Sequence, residues 1–94
     1  MILRILGEGQ FDVAEDRLDE LNRLDDDVTA AVEAGDATAF ARALAALVTG
    51  VRNAGKELPE DYLGPSDLVL PGPDSSLEEV RELLSGSEEG LIPG

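Results

Sequence analysis

The chain opens on Met1-Ile2-Leu3-Arg4-Ile5-Leu6, a run dense in aliphatic side chains that predicts a buried strand near 2–6. Gly7-Glu8-Gly9 follows and supplies a tight turn, because glycine takes positive φ at little steric cost. Gln10-Phe11-Asp12-Val13 then alternates polar and apolar, which puts Phe11 and Val13 on one face of a short second strand. The two together predict an N-terminal β-hairpin over 2–6 and 10–13.

The hydrophobic period changes at Ala14. Leu18, Leu21, Leu24 (or Asp25), Val28, Ala31 and Val32 recur at spacings of three and four and predict a helix over 14–34. Asp12 is its candidate N-cap, Glu15 and Asp16 suit the positive end of its dipole, and Asp19 has the spacing to pair with Arg23. Gly35 suits a left-handed helix stop and Asp36 the N-cap of a new helix. Phe40, Leu44, Leu47, Val48 and Val51 form the stripe of that second helix, over 37–54, among many alanines. Two helices of similar length across a two-residue break read as an antiparallel αα-hairpin.

From Lys56 the pattern breaks up. The stretch KELPEDYLGPSDLVLPGPD carries four of the five prolines and cannot be one helix. Inside it, Asp67-Leu68-Val69-Leu70 reads as a short strand stopped by Pro71. Ser75, with Glu78 three residues on, reads as the capping box of a third helix over 76–84, with Leu77, Val80, Leu83 and Leu84 as its apolar side and Gly86 at its end. Ser87 to Glu89 reads as a loop. Gly90-Leu91-Ile92-Pro93-Gly94 is an extended apolar tail, suited to an edge strand limited by Pro93. The expected architecture over 1–94 is one α+β domain: β-hairpin, long αα-hairpin, short strand, short helix and extended C-terminal tail.

Charge changes the picture more than size does. The 94 residues hold 21 Asp and Glu against 7 Lys and Arg, a net charge of −14, with no His and no Cys. A nucleic-acid backbone is a poor partner for such a surface, and so is an anionic membrane; a basic or amphipathic protein segment fits better. Imidazole and thiolate chemistry, disulfides and zinc-thiolate sites are excluded. No apolar run reaches the length of a membrane span, and Met1 to Leu6 is too short for a signal peptide, which sets a cytoplasmic expectation. Low Lys with abundant Asp and Glu fits a halophilic protein in a salty cytoplasm, where salt screens self-repulsion; an acidic protein from a GC-rich bacterium fits as well.

Carboxylates are the remaining candidates for chemistry. Asp25-Asp26-Asp27 reads as a solvated acidic face, since consecutive helical residues diverge by about 100° and lack the spaced oxygens and central glycine of a calcium loop. Asp12, Glu15, Asp16 and Asp19 form a dense negative patch, read as capping and solubility; no cleft marks it as a catalytic pair. Gly7-Glu8-Gly9 lacks the pattern of a phosphate loop. Ser66, Ser75 and Ser76 have no base to activate them. Tyr62, the one tyrosine, either anchors the Pro-rich crossover by its ring or stands exposed as a partner hot spot.

Three pieces of the chain carry a resemblance: MILRILGEGQFDV at the start, ELPEDYLGPSDLVLPGPD in the middle and SLEEVRELLSGSEEGLIPG at the end. In this order, joined by an acidic and Ala-rich helical region, they resemble the PspA-associated protein family over essentially the whole chain. The resemblance implies a non-enzymatic accessory protein with no cofactor and no catalytic residue. It implies a PspA-like coiled-coil partner in the envelope-stress response, and contact with the membrane only through that partner. The candidate interaction surface is the acidic outer face of the first helix (Asp16, Asp19, Glu20, Asp26, Asp27) together with the crossover at Tyr62 and Leu63. Two other readings compete: a carboxylate-dependent, metal-requiring hydrolase, and a small winged-helix-like transcriptional regulator. The second would need a basic recognition helix, and the third helix has Arg81 as its one basic residue.

Overall fold

The computed structural model describes residues 1–62 and 64–84. Strands β1 (Ile2–Ile5) and β2 (Gly9–Val13) form the expected hairpin, with Leu3 opposite Phe11 and Arg4 opposite Gln10. Gly7 and Gly9 take φ of 81° and 114°, the left-handed region the turn requires. The Glu8 N–H closes the turn by donating to the Ile5 carbonyl at 2.9 Å.

The first helix starts later than its pattern predicts. The chain leaves β2 through a 3-10 turn at Glu15–Arg17, and α1 runs Leu18–Ala34. Asp12 is not an N-cap. Strand pairing holds it in β2 opposite Ile2 and Lys56, its Oδ1 lies 3.6 Å from the Met1 amine, and the Val13 N–H donates to the Met1 carbonyl at 2.8 Å. The ladder thus keeps the backbone extended to Val13 and delays the helix. The ion pair at this helix start is Arg17 with Glu20, at 3.2 Å, and its hydrogen bond raises the Arg17 guanidinium above its ordinary pKa. Among the described residues no ion pair joins Asp19 to Arg23.

The break between the helices is the one expected. Gly35 adopts φ 69° and ψ 22° at the end of α1. Asp36 Oδ1 accepts from the Thr38 N–H at 3.1 Å and the Ala39 N–H at 3.0 Å, capping α2 (Ala37–Ala54). The stripes of α1 and α2 face each other, burying Leu21, Val28 and Val32 with Phe40, Leu44 and Leu47.

A strand with no hydrophobic signature follows directly. β3 (Gly55–Glu57) pairs antiparallel with β2, Val13 opposite Gly55 and Phe11 opposite Glu57. A Cβ at Gly55 would lie 2.9 Å from Val13 Cγ2 and 3.1 Å from Phe11 Cβ, so glycine permits this close approach. β4 (Leu68–Leu70) pairs parallel with β1, Leu3 opposite Leu68, which joins residues more than 50 apart in sequence as expected. The strand order is β3-β2-β1-β4.

The sheet has two different faces. Leu3, Ile5, Phe11, Val13 and Leu70 point inward and join the helical stripes in one buried core. The last helix, α3 (Leu77–Leu84), adds Val80 to that core. Its capping box is shifted by one residue from the predicted Ser75 and Glu78. Ser76 Oγ accepts from the Glu79 N–H, and Glu79 Oε1 accepts from the Ser76 N–H, both at 3.2 Å. Ser75 is held one position earlier by a turn, its N–H donating to the Gly72 carbonyl at 3.1 Å. The predicted stop at Gly86, the loop over 87–89 and the extended tail over 90–94 lie outside the described residues. Among the described residues no helix is long and apolar enough to cross a membrane.

Candidate protein-binding surface

β3 and β4 lie at opposite edges of the sheet, so the segment from Leu58 to Asp67 must cross it. It crosses on the outer face, the side away from the helices. Gln10 sits beneath it. Its alternation with Phe11 and Val13 correctly turns it to that face, yet it is only 9% exposed. Gln10 Oε1 accepts from Ser66 Oγ at 2.7 Å, and its Nε2 donates to the Tyr62 carbonyl at 3.5 Å. Ser66 Oγ also accepts from Arg4 Nε at 3.4 Å. Asp67 fixes the far end, its Oδ2 accepting from the Ile2 N–H at 2.8 Å. Gln10 thus ties the crossover to β2, and Arg4 with the Ile2 N–H ties it to β1.

Two clefts meet at Leu6, just past the end of β1. One, of about 410 Å³, lies between the hairpin and the crossover and is lined by Arg4, Gln10, Pro59 and Tyr62 among others. The second, of about 430 Å³, is bounded by Leu6, Pro71, Ser75, Glu79, Glu82 and Leu83. Leu6, Val69 and Leu83 are the large apolar side chains left exposed among the described residues, at 53%, 55% and 54%. Leu6 is placed by a close backbone approach: a Cβ on Gly72 would lie 2.5 Å from the Leu6 carbonyl oxygen.

The predicted interaction residues fall in separate places. Tyr62 is half-buried in the crossover, its ring folded against Gly64. Leu63 lies outside the described residues. Asp16 is exposed in the 3-10 turn, and Asp19 and Glu20 are exposed at the start of α1. Asp26 and Asp27 are exposed further along α1. The α1 carboxylates belong to the helical layer on the inner face of the sheet, and Tyr62 belongs to the crossover on its outer face. Sequence pattern alone did not single out Leu6, Val69 or Leu83 as surface residues, because each is apolar and next to a core position.

The acidic triplet also divides. Asp25 is 1% exposed, so the reading of all three as a solvated face holds for Asp26 and Asp27 and fails for Asp25. The helical period places Asp25 in line with Leu21, Val28 and Val32, on the buried side. Among the described residues no three acidic side chains converge to hold a metal ion. Arg81 is committed to structure: its Nη2 donates to the Val32 carbonyl in the last turn of α1 at 3.1 Å.

The family model described as PspA-associated protein matches residues 1–94. The chain belongs to the PspA-associated protein family. No curated protein and no solved structure matches it. Membership suggests an accessory, protein-binding role in a PspA-type system.

Proposed function

We propose that residues 1–94 act as one accessory domain that binds a PspA-like coiled-coil protein in the cytoplasm and works with it in the envelope-stress response, without catalysing a reaction of its own. The observation that carries this reading is the family match over 1–94. The net charge of −14 supports it, because such a surface attracts a basic helical partner and is repelled by nucleic acid and anionic lipid. In this reading the membrane is reached only through the partner. In this reading Asp16, Asp19, Glu20, Asp26 and Asp27 steer the approach, while Tyr62, with Leu63 next to it in sequence, belongs to the anchoring segment.

The test is co-purification of the tagged chain with the PspA-like protein of the same organism, at several KCl concentrations. Co-elution that weakens as salt rises is the expected result. No co-elution at any salt concentration where both proteins are folded overturns the proposal.

A further inference from the structure

We propose that the cleft between the end of β1 and α3 receives one amphipathic helix of a partner protein, with aliphatic side chains along its seam and Lys or Arg beside them. This names the docking site for the protein-binding reading above and rests on it.

The floor of the site is apolar. Leu6 and Leu83 line the same cleft of about 430 Å³ and are each more than half exposed. Val69 extends the patch along the outer face: it sits in register with Arg4, two residues before Leu6 and on the same side of β1. Leu6 and Leu83 share one cleft, and with Val69 they are the large apolar side chains that the described residues leave exposed, which marks a recognition surface. Gly72 and Pro71 hold its edge firmly, Gly72 by its close approach to the Leu6 carbonyl and Pro71 by its fixed φ.

The rim decides the occupant. Glu79 and Glu82 line the cleft, and Glu78 precedes them on α3. Arg81, the basic residue of α3, donates to the Val32 carbonyl. A second copy of the chain would bring another 14 negative charges to this rim. The chain's own C-terminal stretch contains Glu88 and Glu89 beside Leu91 and Ile92, which also opposes the rim in charge. A helix with Lys or Arg flanking its apolar seam satisfies both the floor and the rim, in the helix-in-groove manner of recognition.

The experiment uses the full, isotope-labelled chain and a defined probe. The probe is a helical peptide with leucine at i, i+3, i+4 and i+7 and lysine elsewhere; its counterpart has glutamate for lysine. Saturable shifts centred on Leu6, Val69 and Leu83 with the lysine peptide, and none with the glutamate peptide, are expected. Leu6→Ser with Leu83→Ser should weaken the lysine peptide by about tenfold or more, while Asp26→Lys with Asp27→Lys should weaken it less. Both positions are exposed, so thermal melts of the Ser variants should stay near that of the parent chain. Shifts spread over the α1 carboxylates, or undiminished binding by the Ser variant, overturn the proposal. So do shifts at Leu6 and Leu83 caused by Leu91→Ser with Ile92→Ser without peptide, since these assign the cleft to the chain's own tail. The same Ser variant against the PspA-like protein separates this proposal from the functional one: retained binding overturns the site and leaves the partner, whereas a peptide that docks at Leu6 and Leu83 beside a PspA-like protein that never binds supports the site and overturns the partner.

Discussion

Arg81, on α3, donates from Nη2 to the carbonyl of Val32, 49 residues away in the last turn of α1, at 3.1 Å. The Val32 carbonyl also accepts from the Gly35 N–H at 3.1 Å, so the guanidinium takes its second lone pair and meets the negative end of the helix dipole. Arg81→Met keeps the apolar stem and removes the donor. It should lower stability to urea by about 1 kcal/mol, with Arg81→Lys losing less. An unchanged urea midpoint for Arg81→Met would show that the apolar contacts of Leu77, Val80 and Leu84 hold α3 without this bond.

Gly72 tests how tightly the end of β1 is placed. Its substitution by Ala puts a Cβ 2.5 Å from the Leu6 carbonyl oxygen, which is backbone and has little freedom to move. Gly72→Ala should destabilise the fold by about 1–3 kcal/mol. Amide shifts should change at Leu6 and Leu70, whose N–H and carbonyl are paired at 3.1 Å.

Asp25 and Asp26 are neighbours in sequence with different environments. Asp25 is buried and Asp26 exposed. Asp25→Ala should cost about 1–3 kcal/mol through lost contacts in the core, and Asp26→Ala should stay within about 0.5 kcal/mol of the parent. Paired urea titrations decide this, and equal midpoints for the two variants would contradict the placement of Asp25.

Salt should stabilise the chain. With a net charge of −14, exposed carboxylates repel across a small body, and the screening length shrinks from well above about 10 Å at low salt to about 3 Å at 1 M. Thermal melts between about 0.05 M and 1 M KCl should show stability rising by on the order of 1 kcal/mol. A flat midpoint would mean that local ion pairs such as Arg17–Glu20 and Arg52–Glu8 already offset the repulsion.

Local signals made much of this fold legible. The stripe from Phe40 to Val51 and the Gly35-Asp36 break specify the helical hairpin, and the positive φ at Gly7 specifies the turn. β3 was not legible, because Gly55-Lys56-Glu57 has no apolar pattern and becomes a strand only through pairing with β2. Gln10 reads as polar and outward, and it is outward; its burial depends on a crossover whose path no local pattern encodes. Leu24 and Asp25 compete for one stripe position, and the phase set by Leu21 and Val28 buries the aspartate. Leu6 and Leu83 read as core because they are aliphatic beside core residues. Their exposure follows from the sheet ending at Ile5 and from α3 turning Val80, not Leu83, inward. One signal was available for Leu83: with Leu84 beside it, the apolar arc of α3 is wider than a single buried face needs.

The central claim is that this PspA-associated protein recognises its partner through the surface around Leu6. The most direct measurement titrates the PspA-like protein of the same organism into the isotope-labelled full chain, at low and at high KCl. The account predicts saturable signal changes centred on Leu6, Tyr62, Val69 and Leu83, with association slowed by salt through the carboxylates of α1. An unchanged spectrum at every salt concentration where both proteins are folded would contradict it.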